Sequence, residues 1–336
     1  MPRALVRIPQ DAAVPLIGTV AFGLIDRGTT LIQVRPSSAC VLSCVFCSTD
    51  AGPRSRTRLA EYLVDLDYLL QWFDEVAAYK GVSDLEAHVD TVGDPFVYPK
   101  VMELFRRLKD HPQVSVVSVQ THGALLGPED VPRLEESGLD RVNLSIDSLN
   151  PEKARALSGT PSYDVERVKE FARRLAESEV DLLIAPVWVP GLNDEDIPEI
   201  IEFALDIGAG KRWPPLGIQK YEAHRHGRRP RGVRPMPWSR FYAALRRWEE
   251  EYGVRLVLTR EDFNIRPARS LPKTMRVGEK VTVRVVAPGW RRGETLGVAR
   301  GRAVTLVNAE AYPAGSEVRA VVLRDKDNVY VLRPAP

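Results

Sequence analysis

The sequence predicts an α/β protein: a partial parallel (β/α)6 barrel followed by a small all-β barrel of the oligonucleotide-binding (OB) kind. Three observations predict it. Between about residues 30 and 221, short β-branched runs alternate with longer amphipathic segments, the pattern of parallel βα units. From residue 280 onward, short strand-like runs are separated by Gly and Pro turns. A chain of 336 residues, 44% of them hydrophobic, has room for one full α/β body and one small appendage.

The body's expected strands are residues 31–34, 86–92, 114–120, 141–146, 181–187 and 217–221. Between them, apolar residues recur at helical spacing over 59–79, 164–178 and 194–208. Residues 1–30 read as an N-terminal extension, 31–265 as the barrel and 271–336 as the small β domain. In parallel α/β barrels the chemistry sits at the C-terminal ends of the strands, so the residues just after each strand are the candidates. After Tyr221 the periodicity stops in 222–237, a stretch crowded with Arg, His, Gly and Pro. A helix over 238–252 and a strand over 254–259 are expected next, then a linker near 266–274. The tail strands are expected at 280–286, 295–299, 303–307, 317–323 and 328–332.

The net charge of +2 conceals an asymmetry. From Leu271 to the end there are 12 Lys and Arg against 6 Asp and Glu, so the tail is near +6 and the body near −4. A basic module on a larger body suits delivery to a polyanion; a solvated surface domain is the plainer explanation. The apolar stretch near residues 12–25 is interrupted by Pro15, Gly18 and Gly23 and is too short to span a bilayer. The three cysteines all fall within eight residues, which argues against a disulfide framework and for a reducing, cytoplasmic setting.

Those cysteines are Cys40, Cys44 and Cys47, on the loop after the first expected strand. Three soft ligands this close suit a four-iron cluster with one iron left open, able to chelate an amino and a carboxylate group. The alternative is a structural zinc loop, with His88 or His122 as a distant fourth ligand. The spacing and the aromatic Phe46 resemble the Cys-x-x-x-Cys-x-aromatic-Cys signature of the radical S-adenosylmethionine (SAM) superfamily. Further along, Val92-Gly93-Asp94-Pro95 is similar to that family's Gly-Gly-Glu-Pro element, with Val92 and Asp94 as departures. Thr121-His122-Gly123 stands where the family often has Thr-Asn-Gly. Asn143-Leu144-Ser145-Ile146-Asp147 is similar to its Ser-x-Asp strand, and the turn from Val189 through Asn193 to Asp194 is similar to one that packs on adenine.

The resemblance, which covers about residues 33–221, implies one 4Fe-4S cluster on the three cysteines and SAM as cosubstrate. It also implies an external one-electron donor and a 5′-deoxyadenosyl radical. It assigns Phe46, Gly93, Asp94, Pro95, Thr121, Ser145, Asp147, Asn193 and Tyr221 to the cofactor pocket. Plainer uses exist for several of them. Asp94 and Asp147 suit helix caps, Thr121 suits a turn, and His122 is more often a packed or surface histidine than a proton donor.

The tail resembles the TRAM domain, a small β-barrel that binds tRNA in several RNA-modifying enzymes. The residues that carry this are Val277-Gly278-Glu279-Lys280-Val281, Gly297-Val298-Ala299-Arg300-Gly301 and Pro313-Ala314-Gly315-Ser316-Glu317-Val318. It implies tRNA or another RNA as partner, held by Arg225, Arg228, Arg229 and Arg231 of the basic run and by Trp290, Arg291 and Arg292 of the tail. Trp290, Tyr312 and Tyr330 are candidates for exposed stacking faces; the plainer use is to fill the small barrel's core, and that is the preferred reading for Tyr330. With no fourth cysteine, neither a second Cys-ligated cluster nor a methyl-carrying cysteine is available. A radical enzyme acting on a small metabolite or peptide, and a non-catalytic zinc-containing RNA-binding protein, remain the alternatives.

Overall fold

The computed structural model describes residues 3–335. In chain order the elements of the first half are β1 (Ala4–Ile8), β2 (Gly23–Asp26), β3 (Leu31–Arg35), β4 (Ala60–Val64), α1 (Leu66–Lys80), β5 (Leu85–Val89), α2 (Val101–Lys109), β6 (Val114–Thr121), α3 (Val131–Glu136) and β7 (Arg141–Leu144). The rest of the body comprises α4 (Pro151–Ser158), α5 (Val165–Ala176), β8 (Asp181–Ile184), β9 (Val187–Trp188), α6 (Asp196–Asp206), β10 (Gln219–Lys220) and α7 (Trp238–Tyr252). The tail holds β11 (Lys280–Pro288), β12 (Glu294–Ala299), β13 (Arg302–Val307), β14 (Glu317–Arg324) and β15 (Val331–Pro334).

The body is built on a six-stranded sheet in the order β2-β3-β5-β6-β7-β8, with β2 antiparallel to β3 and the other pairs parallel. Its parallel strands therefore end on one side, where the cysteine loop follows β3 and the Gly93, Thr121 and Ser145 segments follow β5, β6 and β7. Two neighbouring features of residues 3–30 enter this architecture: β2 forms the sheet edge, and β1 pairs in parallel with β4. A buried ion pair between Lys80 and Asp26, at 2.7 Å, fastens the end of α1 to that edge strand.

The expected 59–79 helix begins later than its periodicity suggests. Its first residues form β4, and the helix starts only after Asp65, whose carboxylate accepts from the Asp67 and Tyr68 N–H groups. The strand expected at 217–221 shrinks to β10, which pairs in parallel with β9; ahead of it only an isolated bridge between Leu216 and Ile184 continues the alignment. No strand forms over 254–259: the N–H groups of Leu256 and Val257 are taken by Glu249 Oε1 at 2.7 and 2.8 Å, which withdraws them from any sheet.

The tail closes into a five-stranded barrel in the order β11-β12-β13-β15-β14, sealed by the parallel β13–β15 pair. Its last strand starts later than expected, because Asp327 and Asn328 turn through positive φ first. Val283, Leu306, Ala320 and Tyr330 fill its core, as expected for Tyr330. Trp290, Leu296 and Ala303 belong instead to the core of the body. Backbone bonds run across as well, from Ala303 N to Ile17 O, Tyr330 N to Gly18 O and Leu59 N to Trp290 O, so the barrel is seated against the body beside the cysteine loop. No described helix is long and apolar enough to cross a membrane.

Candidate cofactor and substrate site

The segment from Ser38 to Arg58 wraps the end of β3 and carries all three cysteines. Cys44 is buried, while Cys40 and Cys47 are partly open. Burial pushes the Cys40 thiol up to about 12, with the Asp94 carboxylate adding to the effect. Burial likewise raises Cys44 well above the ordinary thiol range, and Asp147 adds to it. Without metal these thiols stay protonated, so loading soft cations releases protons. Cys47 Sγ accepts from Ala51 N–H at 3.2 Å and lies 3.4 Å from Thr49 Oγ1, a donor environment that suits a metal-bound thiolate. Phe46 is buried within the same loop.

The neighbouring strand ends close on this loop. Gly93 must be glycine, because a Cβ there would sit 1.9 Å from Ala39 O. Asp94 N donates to Ala39 O at 2.9 Å. The Asp94 carboxylate caps the short 3₁₀ turn Pro95–Val97 through Phe96 N, and its other oxygen accepts from Thr121 Oγ1 at 2.8 Å and His122 N at 3.2 Å. Asp94 and Thr121 thus join the ends of β5 and β6 while Pro95 opens the turn. At the end of β7, Ser145 Oγ accepts from Gln120 Nε2 at 2.8 Å. Burial raises the Asp147 pKa, against the opposing pull of His122 and the Val187 N–H. His122 stands between the two halves of the site, 4.0 Å from Cys44 Sγ and 3.8 Å from Asp147 Oδ2.

Asn193 departs from its expected part as a cofactor contact. Its side chain is fully buried, accepts from Val189 N and donates to Asp147 O and Val187 O, so it is consumed as a strut of the β9 turn. Tyr221 is buried after β10, and its hydroxyl has no partner among the described residues. Trp290 is corrected outright. It is only 4% exposed, with the Arg58 and Arg291 guanidiniums 4.7 and 4.3 Å from its ring centre, and no face is open to a base. Tyr312 is exposed as expected.

Arg58, which the sequence reading passed over, organises the loop. Its side chain is fully buried and donates to Ser38 O, Thr49 O, Thr49 Oγ1, Val92 O and Glu61 Oε2. It therefore spans the cysteine loop from one side to the other and reaches the Gly93 segment. Nothing in a lone arginine of a Ser-Arg-Thr-Arg-Leu run distinguishes it from a solvated one.

Of the basic residues, Arg225, Arg228 and Arg229 all line a cavity of about 470 Å³ beside the cysteine loop. Arg228 is a clamp: it pairs with Asp50 at 2.9 Å and donates to Cys44 O and Ala51 O. Arg292 N donates to Thr57 O at 2.8 Å, and Arg291 bridges to Arg58 through the backbone, so the tail loop lies next to the same region. Arg231 is exposed and lies outside the cavity lining.

A sheet with three cysteines after its first parallel strand and polar side chains at the ends of the next three defines a class. Residues 34–204 match the family model described as Radical SAM superfamily, and the chain belongs to that superfamily. It is a radical SAM enzyme, of a family whose chemistry runs on S-adenosylmethionine and a 4Fe-4S cluster. It is 37% identical over 338 residues to an uncharacterized protein of Methanocaldococcus jannaschii, an alignment covering 95% of this chain and 78% of that protein. It is 27% identical over 215 residues to GTP 3′,8-cyclase of Chlorobaculum tepidum, covering 64% of this chain and 60% of that enzyme's length. Among solved structures, SuiB of Streptococcus suis bound to S-adenosylmethionine shares the fold with a TM-score of 0.51 at 17% identity, over 71% of this chain and 50% of that one.

Proposed function

We propose that the protein modifies a nucleoside of tRNA by radical chemistry, with Cys40, Cys44 and Cys47 as the cluster ligands. The observation that carries the RNA reading is the seating of a basic five-stranded tail barrel against the cysteine loop, with Arg292 bonded to Thr57. In this reading the sheet with β9 and β10 is the partial (β/α)6 barrel of the superfamily and the tail is a TRAM-like OB barrel. When bound, the cluster and SAM supply the 5′-deoxyadenosyl radical that takes hydrogen from the substrate.

The chain's own residues bind, orient and shield. Burial of Cys44 excludes water from the metal side, and Arg58 fixes the cysteine loop through Ser38 O. Gly93, Asp94 and Pro95 present backbone to the methionine end, with Thr121 holding the Asp94 carboxylate in place. Ser145 and Asp147 line the opposite side, with Phe46 and Tyr221 as apolar walls. An external one-electron donor and a cytoplasmic setting complete the proposal.

The test is nucleoside mass spectrometry of tRNA from cells lacking this gene. A missing modified nucleoside supports the proposal and names the product, and an unchanged profile counts against it. A second reading, a nucleotide-like metabolite as substrate, is favoured by the likeness to the cyclases. Binding separates the two, because tRNA affinity that falls steeply with salt belongs to the RNA reading alone.

A further inference from the structure

The cavity beside the cysteine loop carries more positive charge than the protein can neutralise. Arg54 and Arg56 of the cysteine loop line it together with Arg225, His226, Arg228 and Arg229 of the basic segment. Among the described residues Asp50 is the one carboxylate that lines it, and it is already spent: it pairs with Arg228 and accepts from the N–H groups of Arg56 and Thr57 at 2.8 Å each. Arg54, Arg56 and Arg225 make no ion pair among the described residues, and Arg229 donates only to the His224 carbonyl. Four arginines lining one concavity with no carboxylate of their own among the described residues leave it electropositive, a charge that an anion offsets better than screening by water and salt alone.

The walls are built rather than incidental. Arg228 N donates to Cys47 O at 2.8 Å, and its guanidinium reaches Cys44 O and Ala51 O, so the basic segment is strapped onto the cysteine loop. Gly227 permits that approach, since a Cβ there would lie 2.8 Å from Cys47 O. In the cysteine loop itself, Asp50 gathers Ser55, Arg56 and Thr57 around one carboxylate oxygen and so sets the path of the chain that carries Arg54 and Arg56.

We propose that this cavity binds a phosphate ester. Planar guanidinium forks match the tetrahedral oxygens of phosphate in paired hydrogen bonds, and several of them around one space suit a group bearing more than one charge. A volume of about 470 Å³ admits a nucleotide-sized group. The site goes beyond the tRNA reading, because a phosphate of an RNA backbone and one of a free nucleotide present the same chemistry here. It also reassigns the basic run: Arg54 and Arg56 join Arg225 and Arg229 as ligand-facing groups, while Arg228 serves the fold.

The experiment uses the full chain with its cluster reconstituted and titrates inorganic pyrophosphate by calorimetry. The double variant Arg54→Gln/Arg56→Gln, and independently Arg225→Gln on the basic segment, are each expected to weaken binding by about tenfold or more, the effect of losing charge-assisted hydrogen bonds. Arg240→Gln, on an exposed arginine of α7 outside the lining, is expected to bind as the parent does. A labelled single-stranded oligoribonucleotide distinguishes the sources. If it loses affinity in the same variants, the phosphate is that of RNA; if it does not while pyrophosphate does, the ligand is a free phosphate ester. The proposal is overturned if pyrophosphate gives no saturable heat, or if the cavity variants that melt like the parent bind it as tightly as the parent does.

Discussion

The guanidinium of Arg58 lies 4.7 Å from the ring centre of Trp290, joining the segment that follows the cysteines to the hairpin of the tail barrel. One end of this contact reaches Ser38, Thr49 and Val92, the carbonyls around the cysteine loop; the other is a ring packed into the body's core. The tail is thereby part of the wall that holds the cysteines.

Arg58→Met is expected to destabilise the fold by about 1–3 kcal/mol, the cost of leaving the carbonyls of Ser38, Thr49 and Val92 without their buried donor, while Glu61 keeps Arg3 and Ser38 Oγ as partners. Arg58→Lys should recover part of this, because an ammonium group retains the charge but not the fork. Thermal melts of the apoprotein give the order wild type, Lys, Met. Equal melting of all three contradicts the role assigned to Arg58.

Trp290→Ala, although remote from the cysteines in sequence, should accelerate loss of iron to a chelator, as well as costing about 3–5 kcal/mol for the cavity it leaves. Tyr312→Ala, on an exposed ring of the same barrel, should leave the rate unchanged. The decay of cluster absorbance checks this, and identical decay in the two variants would separate the tail from the cysteine loop.

Asp50 has a pH signature. Burial pushes its pKa up, but bonds from Thr57 and the Arg56 N–H, together with Arg228, outweigh that and hold it below the ordinary value of 3.8. A carboxyl lowered on folding stabilises fully above its unfolded value and loses that contribution as pH falls through the folded one. The stability gap between wild type and Asp50→Asn, from urea melts, should be constant above about pH 5 and shrink below it. A gap independent of pH would mean that the carboxylate charge contributes nothing.

Ser145→Ala and Asp147→Asn should each weaken SAM binding by about tenfold with cluster absorbance intact. Equilibrium dialysis with the reconstituted protein measures it. Unchanged affinity in both would move the pocket elsewhere.

Much of this site was legible in the chain because its chemistry is local. Three cysteines in eight residues, and a Gly-Asp-Pro turn after a β-branched run, carry their meaning in spacing. The tail strands were legible because Gly and Pro punctuate them. What escaped depends on contacts across the fold. Residues 60–64 continue the helical spacing of α1 and become a strand only because β1 lies alongside. Asn193 looks like a cofactor contact until its three bonds to backbone are traced. Trp290 looks like a stacking platform, yet it is covered by Arg58, far away in sequence. Arg54 and Arg56 gain significance only when the 222–237 stretch folds back over the cysteine loop.

The most direct test of the account is anaerobic reconstitution with iron and sulfide, followed by reductant and SAM. Four irons per chain, a brown chromophore lost in Cys44→Ala, and release of 5′-deoxyadenosine by the parent but not the variant are the predicted results. A colourless protein that retains one zinc and releases no 5′-deoxyadenosine would contradict it.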